Sequence, residues 1–147
     1  MSQTQVRRRA ALSNELAQKI VDAAKEAATG LGIPSSVAVV DESGHLNAFG
    51  RMDGAGLLTV EIAQDKAYTA AGFGLPTDQW HDFIKDDAPL AAGAPTGIRR
   101  LIVFGGGLPI TVDGEIVGGV GVSGGHWSDD VKIAKAAVAA FEAAVAA

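Results

Sequence analysis

The stretch that most constrains the fold runs from Gly105 to Gly125, where Asp113-Gly114 separates two apolar runs. An Asp-Gly pair favours a two-residue hairpin turn because both central positions take positive φ at low cost. Leu108, Ile110 and Val112 alternate before the turn, and Ile116, Val117, Val120 and Val122 follow it. The spacing predicts a central β-hairpin. Glycines crowd its open end, as Gly105-Gly106-Gly107 on one arm and Gly124-Gly125 on the other. Backbone without side chains turns sharply or lies close to a ligand. A concave, glycine-lined end with bare amide donors is therefore expected, the two turns lying side by side.

The remaining chain supplies helices and a second hairpin. Ser13 is placed to cap a helix from Asn14 to about Thr29, with Leu16, Ile20, Ala23, Ala24 and Ala27 as its apolar stripe. Val37 to Val40 and His45 to Arg51 read as strands joined by Asp41-Glu42-Ser43-Gly44. A second helix is expected from Leu57 to Phe73, burying Leu58, Ile62, Ala63, Ala67, Ala70 and Ala71. Thr77 would cap a short helix, Asp78 to about Lys85, turning Trp80, Phe83 and Ile84 to the core. Asp86 to Gly97 reads as an irregular Ala/Gly/Pro loop, of the length that serves as a lid or binding loop. Ile98 to Phe104 reads as another strand. Ser128 would cap a last helix to Ala147, with Asp129 and Asp130 at its positive end and Val131, Ala134, Val138 and Phe141 inward. The order α-β-β-α-α-β-β-β-α predicts an α+β fold, an antiparallel sheet of about five strands with helices packed on it. Residues 1–11 read as a flexible N-terminus and residues 12–147 as a single domain.

Composition excludes several classes. A formal net charge of -5 gives no general attraction for nucleic acid or anionic membrane surfaces. Cysteine is absent, which removes disulfides, thiolate metal sites and cysteine nucleophiles. None of the three histidines is paired at i, i+4, so no dedicated metal site is expected. Arg7-Arg8-Arg9 precedes only a short apolar run, and a secretory or membrane-spanning segment is not expected there. A cytoplasmic location follows by default.

The chemistry-bearing motifs are short. Gly105-Gly106-Gly107 lacks the Gly-Lys-Ser/Thr ending of a P-loop and opens no helix. Gly121 to Gly125 carries the letters of a nucleophile elbow around Ser123, in a chain too short for the α/β-hydrolase fold that motif requires. Gly124-Gly125-His126-Trp127 stands at a strand-to-helix junction, where free N–H groups attract an anion. His126 there is an acid/base, an axial haem ligand, or a residue that merely bonds its own loop. Glu61 and Lys66 on the second helix belong either to a solvated charged face or to a polar substrate site.

Glu61 to Ala70, Gly105 to Ile110 and Asp113 to Gly124 together resemble the GlcG/HbpS-like haem-binding family, and Arg51-Met52-Asp53-Gly54-Ala55 fits the same pattern. The resemblance implies a profilin-like fold, assembly into homo-oligomers, and binding of haem or another small ligand. Haem degradation is proposed for some members. His126-Trp127 stands where relatives often have small or polar residues.

Three functions stay open on the residues alone. The first is a haem or small-ligand carrier, in which His126 or His81 approaches the iron and the Ala/Pro loop covers the macrocycle. The second is a cofactor-free catabolic enzyme acting on a small carboxylate or carbonyl metabolite. There His126, Glu61 and Lys66 are catalytic, Arg51 holds the anion, and the amides of Gly106, Gly107 and Gly125 stabilise negative charge. Trp127 completes the ligand-binding set. The third is an oligomeric scaffold or regulator.

Overall fold

The computed structural model describes residues 5–147. In chain order the elements are α1 (Asn14–Leu31), β1 (Ser36–Asp41), β2 (Leu46–Arg51), α2 (Leu57–Phe73), a 3-10 turn (Thr77–Gln79), α3 (Trp80–Ile84), α4 (Ala88–Gly97), β3 (Gly107–Val112), β4 (Glu115–Ser123) and α5 (Trp127–Ala146). The strands form one antiparallel sheet in the order β2-β1-β4-β3. The fold is the expected α+β type, with four strands in place of five.

Local signals set the main boundaries. Ser13 Oγ accepts from the Leu16 N–H at 3.2 Å, and Gly32, at φ 70, closes α1. Asp113 and Gly114 both adopt positive φ, 51° and 78°, so the β3–β4 turn is the one the dipeptide favours. In the β1–β2 turn Asp41 Oδ1 accepts from the N–H groups of Ser43 and His45.

The sheet is covered on both faces. Val37 and Val39 of β1 point into a core with Ile20 and Val21 of α1 and Ile133 and Phe141 of α5. Ala38 and Val40 point the other way, onto Ala63, Ala67 and Ala71 of α2. The α2 face is thin for a reason visible in β4. Val120 and Val122 face the larger core, while Gly119 and Gly121 alternate with them. A Cβ on Gly121 would overlap the carbonyl oxygen of Ala63, and one on Gly119 that of Ala67. These glycines let α2 lie directly on strand backbone.

Several expectations are corrected. Ile98 to Phe104 is not a strand: Arg100 takes φ 69, and Thr69 replaces a ladder partner. The Thr69 hydroxyl donates to the Arg100 carbonyl at 2.9 Å and accepts from the Ile102 N–H at 3.1 Å. The Ala/Pro stretch is helix α4, because Asp87 Oδ1 caps the Leu90 N–H at 3.1 Å and Pro89 fits the first turn. Thr77 begins the 3-10 turn, and its hydroxyl serves β3 instead of a helix. The α5 cap is His126, not Ser128: its ring accepts from the Ser128 N–H. Leu58 and Phe83 are exposed, since α2 buries its alanine face and α3 its Trp80 and Ile84. The buried stripe of α1 is Ala17, Ile20, Val21, Ala24 and Ala28, turned slightly from the one expected. The expected flexible N-terminus, residues 1–11, lies in part outside the described residues; within it the Ala10 N–H donates to Glu115 Oε1.

Candidate functional site

The two glycine-rich turns meet around Lys66. This α2 side chain is 1% exposed. Its Nζ donates to the Val122 carbonyl at 2.8 Å and to Asp130 Oδ2 at 2.9 Å. Asp130, in the first turn of α5, is buried as well, and its Oδ1 accepts from the Gly125 N–H at 3.2 Å. The positive end of α5 favours that carboxylate. On the other side, a Cβ on Gly106 would sit 2.6 Å from Lys66 Nζ, and the Gly106 carbonyl accepts from the Val122 N–H at 2.9 Å. Desolvation by burial lowers the Lys66 pKa from 10.5, and the Asp130 carboxylate opposes that shift.

The turns are therefore side by side, as expected, but the space between them is filled. Lys66 and Asp130 occupy it, and Val131 and Trp127 close against Gly105. The Gly107 N–H donates to Thr77 Oγ1 at 2.9 Å, and that of Gly125 is held by Asp130. Two of the three amides expected to await a ligand, those of Gly107 and Gly125, are engaged within the chain. What the glycines admit is the lysine.

An open cleft of about 380 Å³ lies beside this locked junction. Val103, Phe104 and Trp127 give it apolar walls; His81, Asp78 and Asp82 give it an imidazole and two carboxylates. The Phe104 ring also stands 5.3 Å from Lys66 Nζ, a cation–π distance. The site thus has an apolar slot backed by a rigid, buried ion pair. His81 is exposed on α3 and lines the slot. His126 stacks obliquely on Trp127 at 5.1 Å, but its Nδ1 lies 2.8 Å from Ser128 Oγ and accepts from the Ser128 N–H at 3.2 Å. These contacts tie the ring to the α5 cap.

The sequence-proposed residues divide accordingly. His81, Trp127 and the Gly105 turn come together at the cleft. Lys66, Gly106 and Gly107 lie behind it, buried in the packed junction, and Gly125 is exposed at its edge with its N–H held by Asp130. Glu61 is exposed in a separate groove with Leu57, Leu58 and Asp65. Arg51 ends the edge strand β2 opposite Ser36. The proposed catalytic set of His126, Glu61 and Lys66 is not assembled on one surface. In the sequence Asp130, Phe104 and Thr77 read as parts of a helix end, a strand and a cap, and not as site residues. A signal existed for the first: Lys66 follows Ala63 by three positions on the inward alanine face of α2, where a buried lysine requires a partner. Among the described residues, no group of three His, Cys, Asp or Glu side chains could hold a metal ion, and no helix is long and apolar enough to cross a membrane.

Comparison with known proteins agrees with this architecture. The family described as "Haem degrading protein HbpS-like" matches residues 12–139. Protein GlcG of Escherichia coli K12 is 37% identical over 112 residues, covering 76% of this chain and 81% of GlcG. Among solved structures, Klebsiella pneumoniae protein ORFY superposes with a TM-score of 0.88 at 29% identity, covering 97% of this chain and 99% of that one. The PduOC:heme complex superposes with a TM-score of 0.83 at 33% identity, covering 89% of this chain and 95% of the other.

Proposed function

The chain belongs to the HbpS-like family, and from that membership we propose that it binds haem in the cleft between α3 and the start of α5. The observation that carries this reading is the meeting of His81 with Phe104 and Trp127 in one slot. Imidazole is a common axial ligand of haem iron, and aromatic faces suit a flat macrocycle. Asp78 and Asp82 disfavour the anionic propionates, so the apolar side of haem is the part the cleft suits. Bound haem would supply an iron centre open to redox or oxygen chemistry. The chain's own part is to ligate, orient and shield it. Val131 and Trp127, packed on Gly105, and the Lys66–Asp130 pair hold the wall rigid. The Ala/Pro stretch, as helix α4, contributes no residue to this cleft and instead packs Ala94 against Trp80 and Ile84. Self-association belongs to the same reading and is supported by exposed Leu57, Leu58 and Phe73.

Titration of purified protein with haem, followed by absorption, tests the proposal. The expected result is a shifted Soret band that saturates at about one haem per chain, as a single axial-ligand site requires. A spectrum identical to free haem at stoichiometric protein would remove it.

A further inference from the structure

A second groove, of about 320 Å³, lies between the β1–β2 turn, the C-terminal half of α2, Trp80 and the segment at 98–101. That volume is at the small end of ligand sites. Tyr68, Phe73, Trp80, Ile98 and Leu101 line it with apolar surface. Two of its residues carry unmet hydrogen-bonding capacity. Trp80 is 5% exposed, and its Nε1 donor has no partner among the described residues. Glu42 Oε2, also buried, has none either. Buried polar atoms are nearly always paired, so two orphans of opposite kind on residues that line one groove are an exception that asks for an explanation. One donates and the other accepts.

The groove wall is also held in a demanding shape. Arg100 keeps its left-handed φ of 69 because three contacts fix it. Its Nε donates to Asp65 Oδ1 at 2.8 Å, its guanidinium lies 3.9 Å from the Tyr68 ring centroid, and its carbonyl accepts from Thr69. Non-glycine residues persist there only when their surroundings over-determine them. Arg99, the adjacent cation, also lines the groove.

We propose that this groove binds a small aromatic zwitterion of the α-amino-acid type. The ring packs among Tyr68, Phe73 and Trp80. Its ammonium donates to Glu42, and its carboxylate accepts from the Trp80 N–H and from Arg99. An apolar body satisfies the walls, and the paired charges match the carboxylate and guanidinium that line them. The proposal is independent of haem, since this groove shares no lining residue with the cleft of His81 and Trp127.

The two tryptophans allow a direct test on the haem-free, 15N-labelled full chain. Trp127→Phe assigns the two indole N–H resonances. L-phenylalanine should move the Trp80 indole resonance downfield to saturation and leave that of Trp127 in place. Phenethylamine and phenylacetate, each lacking one charged head, should bind about tenfold more weakly. Glu42→Gln should weaken L-phenylalanine and phenethylamine about tenfold and leave phenylacetate unchanged, since only the ammonium partner is altered. A Trp80 resonance unmoved by L-phenylalanine would overturn the proposal. So would equal phenethylamine affinity in the wild type and in a folded Glu42→Gln variant.

Discussion

Lys66→Met should destabilise the fold by about 3–5 kcal/mol, the loss typical when one member of a buried ion pair is removed. Lys66 and Asp130 are both nearly inaccessible, and the carboxylate left behind would stay buried without its cation. Asp130 would keep only the Gly125 N–H. Equilibrium urea unfolding measures the cost. The double variant Lys66→Met/Asp130→Leu should recover most of it, because an apolar pair of similar volume leaves no orphaned charge. A single variant as stable as the wild type would mean that the pair does not hold the junction. The pH dependence has a defined sign. Burial sets the folded pKa of Lys66 below 10.5, so beneath that value the unfolded chain binds more protons at this site than the folded chain. This lysine's contribution to stability therefore rises with pH through the window from its lowered pKa up to 10.5, and Lys66→Met should lack that rise.

Gly121→Ala should cost about 3 kcal/mol or slightly more, the upper range for forcing volume into a packed core. The added Cβ would overlap the Ala63 carbonyl oxygen and lie 2.6 Å from the Ala67 amide nitrogen. Both are backbone atoms of α2, so no side-chain rotation relieves the contact. The helix must lift from β4, which also displaces Lys66. Gly30→Ala gives the contrast. Gly30 lies in α1 with open space where a Cβ would stand. Alanine there should stabilise by about 0.5–1 kcal/mol through helix propensity. Thermal or urea unfolding of the two variants separates a packing glycine from a merely helical one. Equal effects would contradict the close approach of α2 to the sheet.

The parts of the fold legible in the sequence were those written locally. Asp113-Gly114 with flanking alternation specified the hairpin, and Ser13 and the alanine spacing of α1 and α2 specified helices. Ile98 to Phe104 misled because its partner is not a strand. The Thr69 side chain, 31 residues from Arg100, takes the place of ladder bonds, and no window around residue 100 contains that fact. Helix α4 was hidden by its two glycines and two prolines, although Asp87 and Pro89 are a start signal. The junction was legible only in part for a similar reason. Bare turns and their closeness were legible, but the long side chain that fills them comes from α2, and its aspartate partner is 64 residues away. In the sequence His81 stands beside His126 as a candidate to approach the iron, with nothing local to choose between them. Its meeting with Trp127 and Phe104 depends on how α3 is set against α5.

In the proposed haem site the glycine-rich junction is a locked wall, and the ligand binds beside it at His81. Haem titrations of wild type, His81→Ala and His126→Ala, read by the Soret band, test it most directly. Loss of the protein-bound Soret shift in His81→Ala, with the shift retained in His126→Ala, is the expected outcome. Retention of the wild-type spectrum in a folded His81→Ala variant would contradict it.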